Sequence, residues 1–331
     1  MHYAPQPMHI PDGFLSILVS IILWVISFIV VGYAIRRVGK DLGERQVPLM
    51  GVLAAAIFAG QMLNFSVAGG TSGHLMGAAI ATILLGPWAA IIVMTTVVGV
   101  QALIFQDGGL LVLGANIFNM GIIGVSVSYW VYRTFQRLTG GRKWGIFAGG
   151  FLAAWLSMVV AALAVALQLA VSRISPANIA IPTMGGIHML IGIGEGSITL
   201  GALAFLYAAR RDLLHIGEAA PKGGVAVWIG GLVIAAILAI ASPLASAHPD
   251  GLEWVAEQKG FLEIAQNPLY KIIPDYVFPG ITNEALATII SGLIGVMIVF
   301  GVALGVAYVR RKKTSNDGLH PTDPKHKITS D

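Results

Sequence analysis

The sequence predicts an all-α, polytopic membrane bundle of about nine transmembrane helices. Three observations carry that prediction. Residues are 56% hydrophobic and 11% charged, against roughly 25% charged in a soluble domain, so polar groups are too scarce to cover a water-soluble fold. Apolar runs close to the length a bilayer demands, about 20 residues, recur along the chain. Basic residues sit in short clusters between those runs, which is the pattern of membrane topology. The net charge of +4 therefore implies lipid as the surrounding medium and no nucleic-acid partner.

The first span is expected at 15–35. No positive region precedes it and no cleavage site follows, so it reads as a retained helix and not as a signal peptide. Further spans are expected at 48–66, 73–86, 87–105, 110–132, 144–172, 186–208, 226–247 and 285–309. The third is short, and Gly86-Pro87 forces a turn directly after it, so it should be tilted or broken. Arg36, Arg37, Lys40, Arg45, Arg133, Arg137, Arg142, Lys143, Arg210, Arg211 and Lys222 fall on one side of this scheme, with the basic tail from Arg310. Only Arg173, Lys259 and Lys271 fall on the other. That split orients the N-terminus outside and the C-terminus inside.

After the seventh span comes RRDLLHIGEAAPKGG, basic and then Gly-rich. It separates a module at 1–215 from a second at 224–313, whose two spans are joined by a long outside loop. Residues 314–331 are polar and expected to be disordered. No internal repeat is visible, which speaks against an inverted-repeat transporter. The chain has no cysteine, so any metal must be held by nitrogen or oxygen. No HExxH or paired-carboxylate motif supports an enzyme.

Polar residues in hydrocarbon are costly and usually functional, and here they gather on the outer side. His9 and Asp12 lie just before the first span, and NFSVAGGTSGHL ends in His74. QDGG follows the fourth span, Gln101, Asn116 and Asn119 sit in outer helix halves, and His188 opens the seventh span with Glu195 about two turns deeper. Imidazole suits nickel, cobalt, copper and zinc, whereas the plainer reading of any single histidine is a hydrogen-bonded interfacial residue. His74, in a pliant Gly/Ser/Thr loop, reads as a ligand. His188 and Glu195, on one helix face, read as a polar rail bracing the site.

The dipeptide Met8-His9 adds a chelating possibility. A free α-amine has a pKa near 8, so it yields its proton readily to a metal. Were Met8 the first residue, its amine, the His9 amide nitrogen and the His9 imidazole could bind one ion, with His74 as a fourth nitrogen. Four nitrogens in a plane suit Ni(II) or Cu(II). Ile10-Pro11-Asp12-Gly13 would form a stiff turn holding this segment down; alternatively HIPDG is merely a turn leading into the helix, with Asp12 near its N-cap.

MHIPDGFLS, GTSGHLMGAAIATILLGPWAA, VQALIFQDGGLLVLGANIFNM and HMLIGIGEGSIT resemble the CbiM/NikM family, over about residues 8–210. These are the substrate-capturing membrane components of energy-coupling factor transporters for cobalt and nickel. The second module, with HPDGLEWVAE from His248 and PDYVFPG from Pro274, is similar to the small two-helix partner often fused to them. The resemblance implies a metal held by the N-terminal amine, the histidine in position two and the GTSGHL histidine: here Met8, His9 and His74. His188, Gln101, Asn116, Glu195 and Ser72 would support the site. Family members typically start at the methionine of this pair, whereas seven residues precede Met8 here. Either Met8 is the true initiator, or the extension is clipped, or Met1-His2 acts instead.

The resemblance also implies partners and a location. No P-loop pattern occurs, so ATP would be hydrolysed by separate ATP-binding subunits, joined through a transmembrane coupling subunit in a prokaryotic cytoplasmic membrane. Ala55 and Ala59, small residues one turn apart, are candidate docking positions for that subunit. The implied cycle is capture of Co2+ or Ni2+ from outside, closure of the 65–74 loop, ATP-driven tilting and release inside. The ion is substrate, and no permanent cofactor is expected. The rival is a proton-coupled secondary metal transporter with Glu195 as proton carrier.

Overall fold

A computed structural model describes residues 8–41, 46–214 and 225–317. Met1 and His2, most of the predicted linker and the tail beyond 317 lie outside the described residues. Helix occurs at each of the nine expected positions, but length and composition license a crossing for only five helices among the described residues.

Helix α1 (Ile17–Asp41) lies at the periphery: Ile17, Leu18, Phe28 and Ile29 point outward with large exposed areas. Such a surface suits lipid or an apolar partner. Helix α2 (Gln46–Gln61) is shorter than expected, because residues 62–77 leave the helix. They form a hairpin of β1 (Phe65–Val67) and β2 (Thr71–Gly73), paired antiparallel and turned by Gly69 and Gly70, both at positive φ. Helix α3 (Ala78–Leu85) is almost wholly buried. Eight residues rise about 12 Å, too little for a bilayer core of about 30 Å. Gly86 at φ 79° breaks it from α4 (Pro87–Val100), where Pro87 occupies the first turn. The third span is thus a broken helix. Its successor is the most enclosed of the long apolar helices, with 72% of its apolar window buried against 22% for α1.

Helix α4 continues as π-helical turns at Gln101–Phe105 and ends at Gln106 in a left-handed conformation. Helices α5 (Leu113–Asn116) and α6 (Gly124–Thr139) are joined by a π-helical stretch, Ile117–Ile123, so they form one rod. Such widened turns occur frequently at functional sites. Helices α7 (Lys143–Val171) and α8 (Ala177–Ala209) pack along each other. Helix α8 begins well before the expected residue 186, because Pro182 sits inside it where the sequence pattern had placed a loop. Membrane helices tolerate proline when neighbours satisfy the freed carbonyl. His188 therefore lies about three turns inside α8 and does not open it.

The second module comprises α9 (Val225–Ala241), α10 (Gly251–Lys259) and α11 (Glu284–Asp317). Helix α11 extends through Asp317, past the predicted start of the disordered tail at 314. Helices α9 and α11 pack on α2, and α11 also meets α1 and α4. Glycines permit this close approach: a Cβ at Gly295 would lie 2.2 Å from the Phe58 ring, and one at Gly51 3.0 Å from Phe300. Ala55 and Ala59, expected to await a coupling subunit, are fully buried within the chain. The surroundings of α2 are occupied by helices of the same polypeptide, so this docking expectation is corrected.

Candidate metal centre

The loops before α1, between α2 and α3, between α4 and α5, and between α9 and α11 meet at one end of the bundle. The segment before α1 is held there by backbone. Ile10 N donates to Asn116 Oδ1 (3.1 Å) while Asn116 Nδ2 donates to Ile10 O (3.1 Å), and Gly109 N donates to the same carbonyl (2.9 Å). The Asp12 carboxylate accepts from Leu110 N (3.0 Å) and Val112 N (3.2 Å). Asp12 therefore anchors the loop before α5 and does not cap α1, which corrects the turn-and-cap alternative for HIPDG. The two strands run so close that glycine is required: a Cβ on Gly109 would fall 2.1 Å from Asp12 Oδ1 and 2.2 Å from Asp12 N.

Asp107 organises the Met8-His9 pair. Its Oδ1 accepts from Met8 N (2.8 Å) and His9 N (3.2 Å), and its Oδ2 accepts from the Tyr276 hydroxyl (2.7 Å). Burial alone would raise the Asp107 pKa. The neighbouring His9, the phenol and the Met8 N–H overcome it and hold the carboxyl down at about 2. Burial and the Asp107 charge push the Tyr276 phenol well above its ordinary value, so it stays a donor. His9 Nδ1 lies 2.9 Å from Asp107 Oδ1, but off hydrogen-bonding geometry, and both ring nitrogens are buried without a hydrogen-bond partner.

The His74 ring stands 6.0 Å from the His9 ring, centroid to centroid, tilted by 54°. Two imidazoles sharing an ion each place a nitrogen about 2 Å from it, and this separation is within that reach. His74 Nδ1 contacts Asp250 Oδ1 at 3.1 Å. Burial would lower the His74 pKa, but the Asp250 charge and hydrogen bond outweigh it and the pKa is raised.

His9, His74, His188, Asn116, Asn119 and Asp250 share the lining of a cavity of about 70 Å³, room for an ion with some of its water. A larger cavity of about 240 Å³ lies between the segment before α1 and the loop between α9 and α11; Met8, His9 and Asp250 line both. Among the described residues no group of three or more His, Asp or Glu side chains converges closely enough to hold an ion. A complete coordination sphere here needs nitrogens or oxygens beyond those side chains.

The structure places the remaining expected residues as follows. His188 Nδ1 lies 2.8 Å from Met184 O on its own helix. Glu195 does not bond it; its two oxygens accept from Met76 N (2.8 Å) and Gly77 N (3.0 Å), bracing the start of α3. The expected rail is therefore two separate braces. Gln101 is fully buried with its side-chain amide unpaired. Ser72 Oγ donates to His248 O (2.8 Å), tying β2 to the second module. Asn119 exchanges two hydrogen bonds with Gln168, at 2.9 and 2.7 Å. Asp107, Asp250, Tyr276 and Gln168 were not among the expected site residues. The first three lie in QDGG, HPDGLE and PDYVFPG, whose loop carboxylates and phenol were the available signal.

Comparison with known proteins covers both halves of the chain. The sequence model described as "Cobalt uptake substrate-specific transmembrane region" matches residues 9–213, and that described as "PDGLE domain" matches residues 225–312. The putative fused nickel transport protein NikMN of Archaeoglobus fulgidus is 37% identical over 93% of this chain and 100% of its own. The fused nickel transport protein NikMN of Rhodobacter capsulatus is 31% identical over 90% of this chain and 96% of its own. The crystal structure of a truncated transition metal transporter superposes with a TM-score of 0.55 at 33% identity, covering 61% of this chain and 99% of that one.

Proposed function

The chain belongs to the cobalt uptake substrate-specific transmembrane family, as a fusion with a PDGLE module, and from that premise we propose that it captures Ni2+ or Co2+ at the His9–His74 cavity for import. The single observation that carries this reading is the convergence of the two buried imidazoles, 6.0 Å apart, on one cavity. Residues 65 positions apart in the sequence meet there, with His9 Nδ1 beside Asp107 at 2.9 Å and Nε2 without a hydrogen-bond partner.

Backbone nitrogens of Met8 and His9 complete the set in this reading. Both sit beside the His9 ring and rest on Asp107. In a chain beginning at Met8 the first would be an amine, a far better donor to a metal than an amide. Asp107 then holds the pair in place until the ion arrives and takes over its hydrogen-bonding partners. Nitrogen donors favour nickel and cobalt over hard cations and do not separate the two.

The proposal includes separate ATPase and coupling subunits, a cytoplasmic-membrane location, and the capture side facing out with the C-terminus inside, as the basic clusters indicate. The larger cavity then serves as the vestibule between the outside and the imidazoles. Proton coupling through Glu195 has less support, since both carboxylate oxygens are engaged by the amides of Met76 and Gly77.

The test is calorimetric titration of the purified full chain with NiCl2 and CoCl2, beside a form starting at Met8, and metal uptake by vesicles with and without the ATPase and coupling subunits. One ion per chain, tighter binding in the Met8 form and uptake only with ATP are expected. Uptake by the chain alone, driven by a pH gradient, would sink the ATP-dependent reading. Equal affinity of the two forms would remove the Met8 nitrogen from the ligand set.

A further inference from the structure

We propose that Asp250, from the second module, is a positioning residue for the metal site of the first: it grips His74 Nδ1 and so presents Nε2 to the cavity. The inference rests on the metal-capture reading above and assigns part of that site to the PDGLE segment.

Chemistry dictates the ring state. An ionised carboxylate can only accept, so the Nδ1 that faces Asp250 Oδ1 at 3.1 Å carries a proton. In a neutral imidazole the lone pair is then on Nε2. A carboxylate behind a ligating histidine is a recurrent arrangement that fixes the ring and raises its basicity. Asp250 is 4% exposed and lines the same cavity as His9, His74 and His188.

Placement is as important as chemistry. Asp250 is bridged to Ser72, two residues before His74. Ser72 N donates to Pro249 O (2.8 Å), Ser72 Oγ to His248 O (2.8 Å) and Thr71 Oγ1 to Pro249 O (3.1 Å). The carboxylate is thus attached to the strand that leads into His74. Tyr276 of the same module reaches the other ligand segment through Asp107. The second module therefore touches both histidine-bearing segments.

Asp250 also accepts from Leu252 N at 3.4 Å as the N-cap of α10, so a purely structural role must be separable. Serine caps a helix as well as aspartate but ends short of His74. Asparagine keeps both the cap and the reach, without the charge. The full chain is titrated with NiCl2 as wild type, Asp250→Ser, Asp250→Asn and His74→Ala, and the metal-free ring state of His74 is read by 15N NMR of labelled histidine. The Ser variant is expected to bind about 10- to 100-fold more weakly, with a mixture of His74 tautomers in the metal-free chain. The Asn variant should fall between it and wild type.

Wild-type affinity in both Asp250 variants, with wild-type binding intact, would overturn the role of Asp250 and leave the capture reading standing. An unmixed Nδ1–H ring in the Ser variant would do the same. If Ser does not fold, Asn decides by the same two readouts. Undetectable binding by wild type, or wild-type binding by His74→Ala, would instead sink the capture reading itself.

Discussion

Two segments deliver the imidazoles to the cavity, and they are held by opposite means. The Met8–His9 segment is laced to the first module by backbone and side-chain amides: Asn116 clamps Ile10, Asp12 anchors Leu110 and Val112, and Asp107 holds two chain nitrogens. The hairpin bearing His74 has its outer edge bound to the second module, through Ser72, Thr71 and the Asp250 carboxylate. The His9 segment is thus fixed mainly by the first module, and the His74 segment by the loop between α9 and α11. The same loop also reaches the His9 side, where the Tyr276 hydroxyl donates to Asp107 (2.7 Å) and Gln266 N donates to Asp12 O (2.8 Å), so the contrast is one of degree.

Four substitutions would break or sharpen this contrast. The largest effect is expected from His74→Ala, a loss of more than about 100-fold in Ni2+ affinity, since removing a ligand costs more than the 10–100-fold typical of a supporting residue; titration of the full chain reads it, and retained binding would mean that the hairpin is no ligand segment. Gly109→Ala comes next. Its Cβ would strike Asp12, 2.1 Å from Oδ1, and overpacking of this kind costs about 1–3 kcal/mol. Because the backbone of the N-terminal segment must move, Ni2+ binding should weaken together with the melting temperature.

Tyr276→Phe removes the hydroxyl that donates to buried Asp107 at 2.7 Å. Hydrogen bonds to charged groups are worth about 1.5–3 kcal/mol, and denaturation of the metal-free chain should show a loss at the lower end of that range, since Met8 N and His9 N remain. An unchanged stability would mean that the Tyr276 hydroxyl contributes nothing to the Met8–His9 side. The smallest effect is expected for Ser72→Ala, about 0.5–1.5 kcal/mol for one neutral hydrogen bond. Faster amide exchange confined to the hairpin and residues 246–252 is the expected pattern; exchange that also rises across Ile10 and Asn116 would show the two segments to be one unit.

Much of this architecture is written in local patterns. Apolar runs place helices at every expected position, Gly86-Pro87 marks the break after α3, and the Gly/Ser/Thr stretch ending in His74 marks a loop, which the structure shows as a hairpin, because helix length and chain reversal depend on near neighbours. Two local readings failed for identifiable reasons. The seventh span was expected to start at residue 186, but α8 begins at Ala177 and accommodates Pro182 in its second turn. The small face of α2 was read as free, but α9 and α11 of the same chain pack on that helix.

Composition and periodicity alone determined that this is a helical membrane chain with its polar residues concentrated toward one end. Tertiary structure alone decided what those polar residues do. Asp107 meets Met8 across 99 positions, Asp250 meets His74 across 176 and Tyr276 meets Asp107 across 169. A buried carboxylate is tolerable only when charge and donors surround it, and those partners come from segments whose proximity is a property of the folded bundle and not of any stretch of sequence.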